Sequence, residues 1–524
     1  MCKNLYFIIL AILLPVFFIG IIELVLRTAD LGEETCLFKK TLDHQYYVMN
    51  TKASVCFFSV SENSTIGNQD YFLVNKSKET IRIFVLGASS ALGFPYMYNG
   101  SFARMLKYRL QFRYPYNNIE IVNISLTAVN SYTLWDFGKQ LMSYSPDCIL
   151  IYAGHNEYYG AMGVASSSKY VNDVWINRLL IKSKKIRIIQ LLGKCISHLK
   201  NNKTELTNKN ISLMARMVHQ ATIPYESKPF MLGIQQYERN MSDLIDYFNQ
   251  QHIPVFIGTL AANLKDQRPL DCNNGEKTIA FNEFQKGDSL FQLGNYSESL
   301  HYYLMAKEHD EIRFRAPDTL NSIIRGLSKF PNVSLVDTER ALRDQCKGHI
   351  IGKEVLLEHV HPNLKGSYIM ADCFFNELEN KFFSKLKYRS VHSNIIDKDL
   401  PYTAFDTISG DLTIQALKQQ WPFNETSQNF EGYKQDSFES RIANMYFSRH
   451  INWEQAMRKL NNYYILQKDY TNALRIIEQM YLDVPYEVRF AEQALNLSKH
   501  LKFKEKIAFY SQKVIMLHSL NSSN

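Results

Sequence analysis

The chain lacks the cysteine and histidine spacings that bind zinc. Its eight cysteines include no Cys-x-x-Cys pair, so a metal site built from thiolates is not expected. Charged residues make up only 21% of the chain and hydrophobic residues 46%, a balance typical of folded globular proteins rather than disordered ones. The net charge of +8 is small for 524 residues, so the composition indicates no nucleic-acid partner.

Charge is also missing near the amino terminus, where Leu5 to Ile22 contains no charged residue. This stretch is long enough to cross a bilayer. The sequence after Glu23 offers only a poor site for signal-peptide cleavage, so we expect an uncleaved anchor over residues 1–27. Lys3 precedes the anchor and acidic residues follow it, which places the amino end in the cytoplasm. The expected location is therefore the inner (cytoplasmic) membrane, single-pass, with the bulk of the chain periplasmic or extracellular.

Short apolar runs rich in β-branched residues predict buried parallel strands. The five runs are Ile81 to Leu86, Ile119 to Asn123, Cys148 to Tyr152, Val255 to Gly258 and Val333 to Val336. Helical patterns over residues 101–112 and 234–249 separate some of them, so β-α-β crossovers and a sheet covered by helices are expected. Residues 28–79 show no clear period and are expected to form a spacer and lead-in from the membrane.

Two segments carry small and aromatic residues at the spacing of a tetratricopeptide repeat. The positions are Gly287, Leu290, Gly294, Tyr296, Ser299, Tyr303 and Ala306, and then Leu460, Tyr464, Tyr470, Ala473, Ile477, Met480 and Pro485. A plain helical hairpin is the alternative, since any two crossing helices place small residues at their contact. We expect a tetratricopeptide-like insertion over 276–325 and a tetratricopeptide-like carboxyl-terminal region over 441–524. A polar linker over 386–440 would precede the latter.

Polar residues follow the ends of the predicted strands, where the sites of open α/β sheets lie. Ser89 follows the first strand and Asn156 the third, while His361 comes much later, three residues after Glu358. A serine becomes a nucleophile when a base takes its proton and an acid orients that base. We therefore predict Ser89 as the nucleophile, His361 as the general base and Glu358 as the orienting acid. The Asn156 amide and a backbone N–H after the second strand would stabilise the oxyanion.

This series of blocks resembles the SGNH, or GDSL-type, hydrolase superfamily, and more closely its membrane-anchored bacterial members with a tetratricopeptide insertion. The matching blocks are Gly87-Ala88-Ser89, Ala128, Gly154-His155-Asn156 and Glu358 to His361, within roughly residues 80–385. The resemblance implies a flavodoxin-like three-layer α/β/α fold, no metal or cofactor, and acyl chemistry through a seryl ester.

The same resemblance assigns further roles and shows three departures. It implies an oxyanion hole made by Ser89, Ala128 and Asn156, with Gly87 and Gly154 in support. Ala88 stands where the family has Asp, Ala128 where it has Gly, and Glu358 where it has Asp. The change at Ala128 matters if that residue needs a positive φ.

We expect a serine esterase or O-acyltransferase that hydrolyses or transfers an acyl ester. The expected acyl group is acetyl. An enzyme anchored outside the cytoplasm would meet an acylated cell-envelope glycan or a small ester. The alternative is a catalytically degenerate domain that supports tetratricopeptide helices for an envelope protein partner. Whether His361 reaches Ser89 discriminates between the two.

Overall fold

The computed structural model describes residues 2–59, 61–168, 171–200, 212–272, 278–384, 386, 400–425 and 436–522. The strands are β1 (Phe38–Lys40), β2 (Tyr46–Met49), β3 (Phe72–Leu73), β4 (Thr80–Gly87), β5 (Asn118–Asn123), β6 (Cys148–Tyr152), β7 (Val255–Gly258) and β8 (Val333–Val336). The helices in the first half are α1 (Cys2–Thr28), α2 (Ser89–Leu92), α3 (Phe102–Arg113), α4 (Ser131–Gln140), α5 (Val174–Ser183), α6 (Arg187–Lys200), α7 (Leu213–Met217) and α8 (Lys228–Gln250). Those in the second half are α9 (Ile279–Gln292), α10 (Tyr296–His309), α11 (Asp318–Leu327), α12 (Thr338–Arg343), α13 (Leu364–Lys381), α14 (Ala404–Lys418), α15 (Phe438–Phe447), α16 (Trp453–Leu466), α17 (Tyr470–Asp483), α18 (Val488–His500) and α19 (Lys504–Ser522).

The five strands predicted from the apolar runs are confirmed and form one sheet. Its order is β5-β4-β6-β7-β8, and every pairing is parallel. If these five strands are numbered 1 to 5 along the chain, the order is 2-1-3-4-5. This is the strand order of a flavodoxin-like sheet, as expected. The chain leaves β4 toward β5 on one side and then returns to β6 on the other. This reversal opens a crevice beyond the carboxyl end of β4, where ligands bind in such sheets.

Helices cover both faces of the sheet and bury it. The central strand β4 is almost wholly buried, and all of β6 is buried. Helices α3 and α13 contact each other on one face, while α8 contacts α4 and α11 on the other. The structure is therefore the predicted three-layer α/β/α arrangement, with β4 and β6 in its core.

The segment 28–79 is part of the core and more than a spacer. It carries the antiparallel sheet of β1, β2 and β3, and Leu37, Phe57 and Phe72 are fully buried. The Phe72 ring packs edge-on against Phe84 of β4, with centroids 5.6 Å apart. Apolar residues without a clear period gave no sign of this packing, because the strands are only two to four residues long.

Part of the expected linker over 386–440 is a helix. Helix α14 begins after Thr403, whose side chain and that of Asp406 form a reciprocal capping box. Its residues Phe405 and Leu412 are buried. The linker prediction is wrong for this stretch, while residues 387–399 and 426–435 lie outside the described part of the chain.

Helical hairpins occupy both regions expected to hold repeats. Helices α9 and α10 pack against each other, and the Tyr303 ring lies against Gly287, where an added Cβ would meet it at 2.9 Å. Helices α15 to α19 pack consecutively. The helical hairpins are present, and their assignment as tetratricopeptide repeats stays a prediction.

The amino-terminal segment folds as helix α1, and its apolar side chains between Leu13 and Val25 are largely exposed. No helix in the described part of the chain meets the combined length and apolarity required for a membrane span. The side chains of residues 1–12 lie outside the described part. The anchor over 1–27 stays a prediction.

Candidate active site

Ser89 lies at the point where β4 turns directly into α2. Gly87 makes this turn possible, since a Cβ at that position would lie 2.3 Å from Ala91 Cβ and 2.6 Å from the Tyr152 carbonyl oxygen. Gly93 ends the short helix with φ of 102° and donates its N–H to the Ser89 carbonyl. The Ser89 side chain is thereby held at the carboxyl edge of the sheet, next to the crevice.

Ser89, His361 and Glu358 form a hydrogen-bonded chain. The His361 Nε2 atom lies 2.8 Å from Ser89 Oγ, and its Nδ1 atom is hydrogen-bonded to Glu358 Oε1. The His361 backbone N–H also donates to Glu358 Oε1, at 3.2 Å. In this arrangement the imidazole can accept the Ser89 proton while the carboxylate fixes its tautomer, which is what nucleophilic activation of a serine requires.

The short loop that carries both residues is held by backbone pairing. Leu357 donates its N–H to the His361 carbonyl at 2.9 Å. Leu356 and Pro362 form an isolated antiparallel β-bridge. Ser90 Oγ donates to the Val360 carbonyl at 3.2 Å, joining the loop to α2. These contacts fold the loop so that a glutamate three residues before the histidine meets its ring.

Glu358 is fully buried and accepts hydrogen bonds from several donors. Burial opposes its ionisation, but the neighbouring His359 and His361 outweigh this and hold the pKa of Glu358 well below its usual range. The Val360 N–H adds a weak hydrogen bond at 3.4 Å. The carboxyl group is therefore an ionised acceptor throughout the neutral range.

His359 is a residue of the site that the sequence reasoning did not single out. Its Nδ1 atom is hydrogen-bonded to Glu358 Oε2, so the carboxylate lies between two imidazoles. Burial lowers the pKa of His359 despite the nearby carboxylate. The available signal was its position between Glu358 and His361, but adjacent loop residues usually point in different directions.

The residues of the predicted oxyanion hole border the same cavity as Ser89 and His361. Ala128 has φ of 56° and, like Asn156, lines that cavity. Gly154 allows the loop after β6 to approach Leu260, whose Cδ1 atom would lie 2.3 Å from an added Cβ. The structure thus brings together all the site residues expected from the sequence, from four separate stretches of the chain.

Two buried polar residues flank Asn156 and hold its loop. His155 accepts the Ala316 N–H at 3.2 Å, and burial lowers its pKa to about 3, so its ring is neutral. Glu157 accepts the Ser131 N–H at 3.1 Å, and burial raises its pKa to about 7. Both bonds fix the loop to other elements, in keeping with a structural role.

The described residues contain one group with the donor types of a metal site. Ligand atoms of Glu358, His359 and His361 lie within 4.8 Å of one another. The carboxylate is hydrogen-bonded to Nδ1 of both rings, and the remaining His361 nitrogen faces Ser89. These hydrogen bonds occupy both carboxylate oxygens of Glu358, the Nδ1 atoms of both rings and Nε2 of His361.

The cavity beside Ser89 has a volume of about 270 Å³. Its polar lining residues are Ser89, Thr127, Asn156, Tyr159, His359 and His361. Its apolar lining comes from segments far apart in sequence, namely Phe94, Met97, Leu213, Met214, Met217, Phe314 and Leu417. Sequence patterns gave no signal for these residues, because they come from four separate segments: the turn after α2, helix α7, the loop before α11, and helix α14.

Comparisons with known proteins found no matching family model and no matching curated protein. Solved structures do align with part of the chain. An acetylxylan esterase from Geobacillus stearothermophilus is 14% identical, with 57% of this chain and 94% of that chain covered and a TM-score of 0.30. A GDSL-like lipase from Bacteroides thetaiotaomicron is 12% identical over 59% and 92%, with a TM-score of 0.30.

A lipase/acylhydrolase from Enterococcus faecalis is 9% identical, covering 60% of this chain and 100% of that chain, again with a TM-score of 0.30. At such identities and scores these likenesses carry no argument about function.

Proposed function

We propose that this chain is a serine esterase or O-acyltransferase of the SGNH type. The observation that carries the proposal is the hydrogen-bonded chain from Ser89 through His361 to the buried carboxylate of Glu358. Isolated serines and histidines are common, but this geometry joins a nucleophile, a base and an orienting acid beside a cavity.

The proposed reaction begins when Ser89 Oγ attacks the ester carbonyl carbon and His361 Nε2 takes the hydroxyl proton. The Ala128 backbone N–H and the Asn156 amide stabilise the negative charge on the carbonyl oxygen. The tetrahedral intermediate then expels the alcohol, which receives its proton from His361, and leaves an acyl group on Ser89. Water then releases the acid in an esterase, whereas a second alcohol takes the acyl group in a transferase.

Labelling with a fluorophosphonate tests the nucleophile. The native chain should be labelled, and Ser89→Ala should lose both labelling and turnover of a p-nitrophenyl ester, by at least about 1,000-fold. The matched control is Ser289→Ala, whose exposed hydroxyl bonds the Gln285 carbonyl within α9, and it should behave like the native chain. Equal labelling of Ser89→Ala would overturn the assignment.

We propose further that the substrate is an acylated glycan of the cell envelope and that residues 1–27 anchor the enzyme in the inner membrane. The motivation is the uncharged stretch Leu5 to Ile22 with Lys3 before it. A topology reporter fused after Asn524 should be active only outside the cytoplasm. Activity restricted to the cytoplasm would contradict the outward orientation.

The alternative is a degenerate domain serving as a tetratricopeptide scaffold for an envelope partner. The 2.8 Å contact between His361 and Ser89 favours the enzyme, since a degenerate site has no need to keep this geometry. Loss of function in Ser89→Ala would separate the two, because a scaffold does not depend on one hydroxyl.

A further inference from the structure

The polar residues that line the cavity beside Ser89 are Thr127, Asn156, Tyr159, His359 and His361. Its remaining wall consists largely of aromatic, aliphatic and thioether side chains: Phe94, Met97, Met214, Met217, Phe314 and Leu417. In the described part of the chain, no Asp, Glu, Lys or Arg side chain lines this cavity, although sugar hydroxyls would need hydrogen-bond partners there. The cavity therefore suits an apolar group attached to the reacting carbonyl.

The size of the cavity indicates how large that group is. An apolar cavity of about 150 Å³ holds a six-carbon benzene ring. The volume here is about 270 Å³, so an acetyl methyl group would leave most of it unfilled. A chain of about six to eight carbons fills it while its carbonyl reaches Ser89.

Three methionines make the wall adaptable to such a chain. Met97 follows α2, whereas Met214 and Met217 lie on α7, and all three line the cavity. An unbranched thioether adjusts its three torsions to irregular apolar shapes at little cost. A rigid aromatic acid needs a flat slot instead, and a wall of flexible side chains does not define one.

We propose that this cavity is the acyl-binding site and that it selects esters of medium-length aliphatic acids, of about six to eight carbons. This inference rests on Ser89 being the nucleophile. It concerns the acyl side of the ester and leaves the alcohol side, glycan or otherwise, as proposed above. It argues against acetyl as the preferred group.

A series of p-nitrophenyl esters with acyl chains of two to twelve carbons tests the proposal on the full-length chain. Each methylene that becomes buried should raise kcat/KM by about fourfold, until the cavity is full. The expected profile rises from acetate, peaks at hexanoate to octanoate and falls at dodecanoate. A second series, with octanoate joined to alcohols of different size, should show a weaker dependence.

The variant Met214→Trp places a large ring in the cavity and should move the peak toward acetate and butyrate. It should lower kcat/KM for octanoate at least tenfold and leave fluorophosphonate labelling of Ser89 intact. The matched control is Met231→Trp, since Met231 is exposed on α8, and its profile should equal that of the native chain.

The outcomes separate the two proposals. Acetate as the best substrate, with Ser89 still labelled, would overturn the acyl-chain inference and leave the serine hydrolase intact. A preference that follows the alcohol rather than the acid would also overturn it. No turnover of any ester together with no Ser89-dependent labelling would instead overturn the proposed function itself.

Discussion

At the scale of single residues, the site depends on how buried charge is balanced. Glu358 is ionised in a fully buried position because two imidazoles face its two oxygens. A buried carboxylate without such partners would take up a proton. His359 is hydrogen-bonded to Oε2 of Glu358, and His361 is hydrogen-bonded to Oε1. His359 therefore positions the carboxylate, whereas His361 also contacts the Ser89 hydroxyl.

Glu157 shows the opposite balance, and it gives a testable dependence of stability on pH. Burial raises its pKa to about 7, whereas the unfolded value is near 4.5. Between these values the folded state keeps a proton that the unfolded state has lost. The contribution is therefore complete below pH 4.5 and is lost as the pH rises toward 7, by on the order of 3 kcal/mol.

Urea unfolding of the native chain and of Glu157→Gln from pH 4.5 to 7.5 measures this effect. The variant carries no titrating group at this position, so its free energy of unfolding should fall less steeply with pH than that of the native chain. Since other groups titrate equally in both proteins, the difference between the two slopes isolates Glu157. Parallel curves would show that its pKa is not raised.

At the scale of elements, the turn after β5 carries backbone strain. Ala128 has φ of 56°, a region that costs a residue with a Cβ about 1–2 kcal/mol. Alanine in place of the family's glycine was expected from the sequence to matter if this residue had a positive φ, and it does. The loop keeps this conformation because the Ala128 carbonyl accepts the Ala161 N–H at 2.9 Å.

Replacing Ala128 with glycine should therefore stabilise the protein. Glycine removes the steric cost but has more freedom in the unfolded chain, so the net gain should be up to about 1 kcal/mol. The control Ala456→Gly, in the buried interior of α16, should destabilise by at least that amount. The check is the urea midpoint of each variant, and a loss of stability in Ala128→Gly equal to the control would contradict the strain.

Some of these elements could be predicted from the sequence, and others could not. The five sheet strands were predictable because each is a run of apolar residues buried on both faces, as in β6. The ends of these strands then located Ser89, Ala128 and Asn156. Helix α14 was missed although Thr403 and Asp406 form a capping box, a signal readable in sequence. The cavity wall was not predictable, because Met217 and Leu417 meet only through the tertiary fold.

At the scale of the whole molecule, the carboxyl-terminal helices are part of the same core as the sheet. Arg104 of α3 is buried and pairs with Asp70 at 3.1 Å and with Asp483 of α17 at 3.3 Å. Lys107 donates to the Leu482 carbonyl at 2.8 Å. A region that served only as a mobile binding arm would not share buried charges with the domain that contains the sheet.

These charges are linked to helix α2, which carries the proposed nucleophile Ser89. Asp70 also accepts the Asn123 N–H at 2.9 Å, and the Asn123 side chain donates to the Ala91 carbonyl at 2.8 Å. Ala91 lies in α2 with Ser89. Hydrogen bonds thus run from the end of α17 to helix α2, which carries Ser89, so the two regions should unfold together.

Calorimetry of the full-length chain tests this unity, with Arg104→Met as the variant. The native chain should show a single transition for the sheet and the carboxyl-terminal helices. The variant removes the guanidinium that pairs with Asp70 and Asp483, which should cost about 3–5 kcal/mol and move the whole transition down. The control Arg458→Met removes an exposed pair with Glu454 and should change stability by about 0.5 kcal/mol or less. Two separate transitions in the native chain, or a shift of only one part in Arg104→Met, would show that the helices are an independent unit.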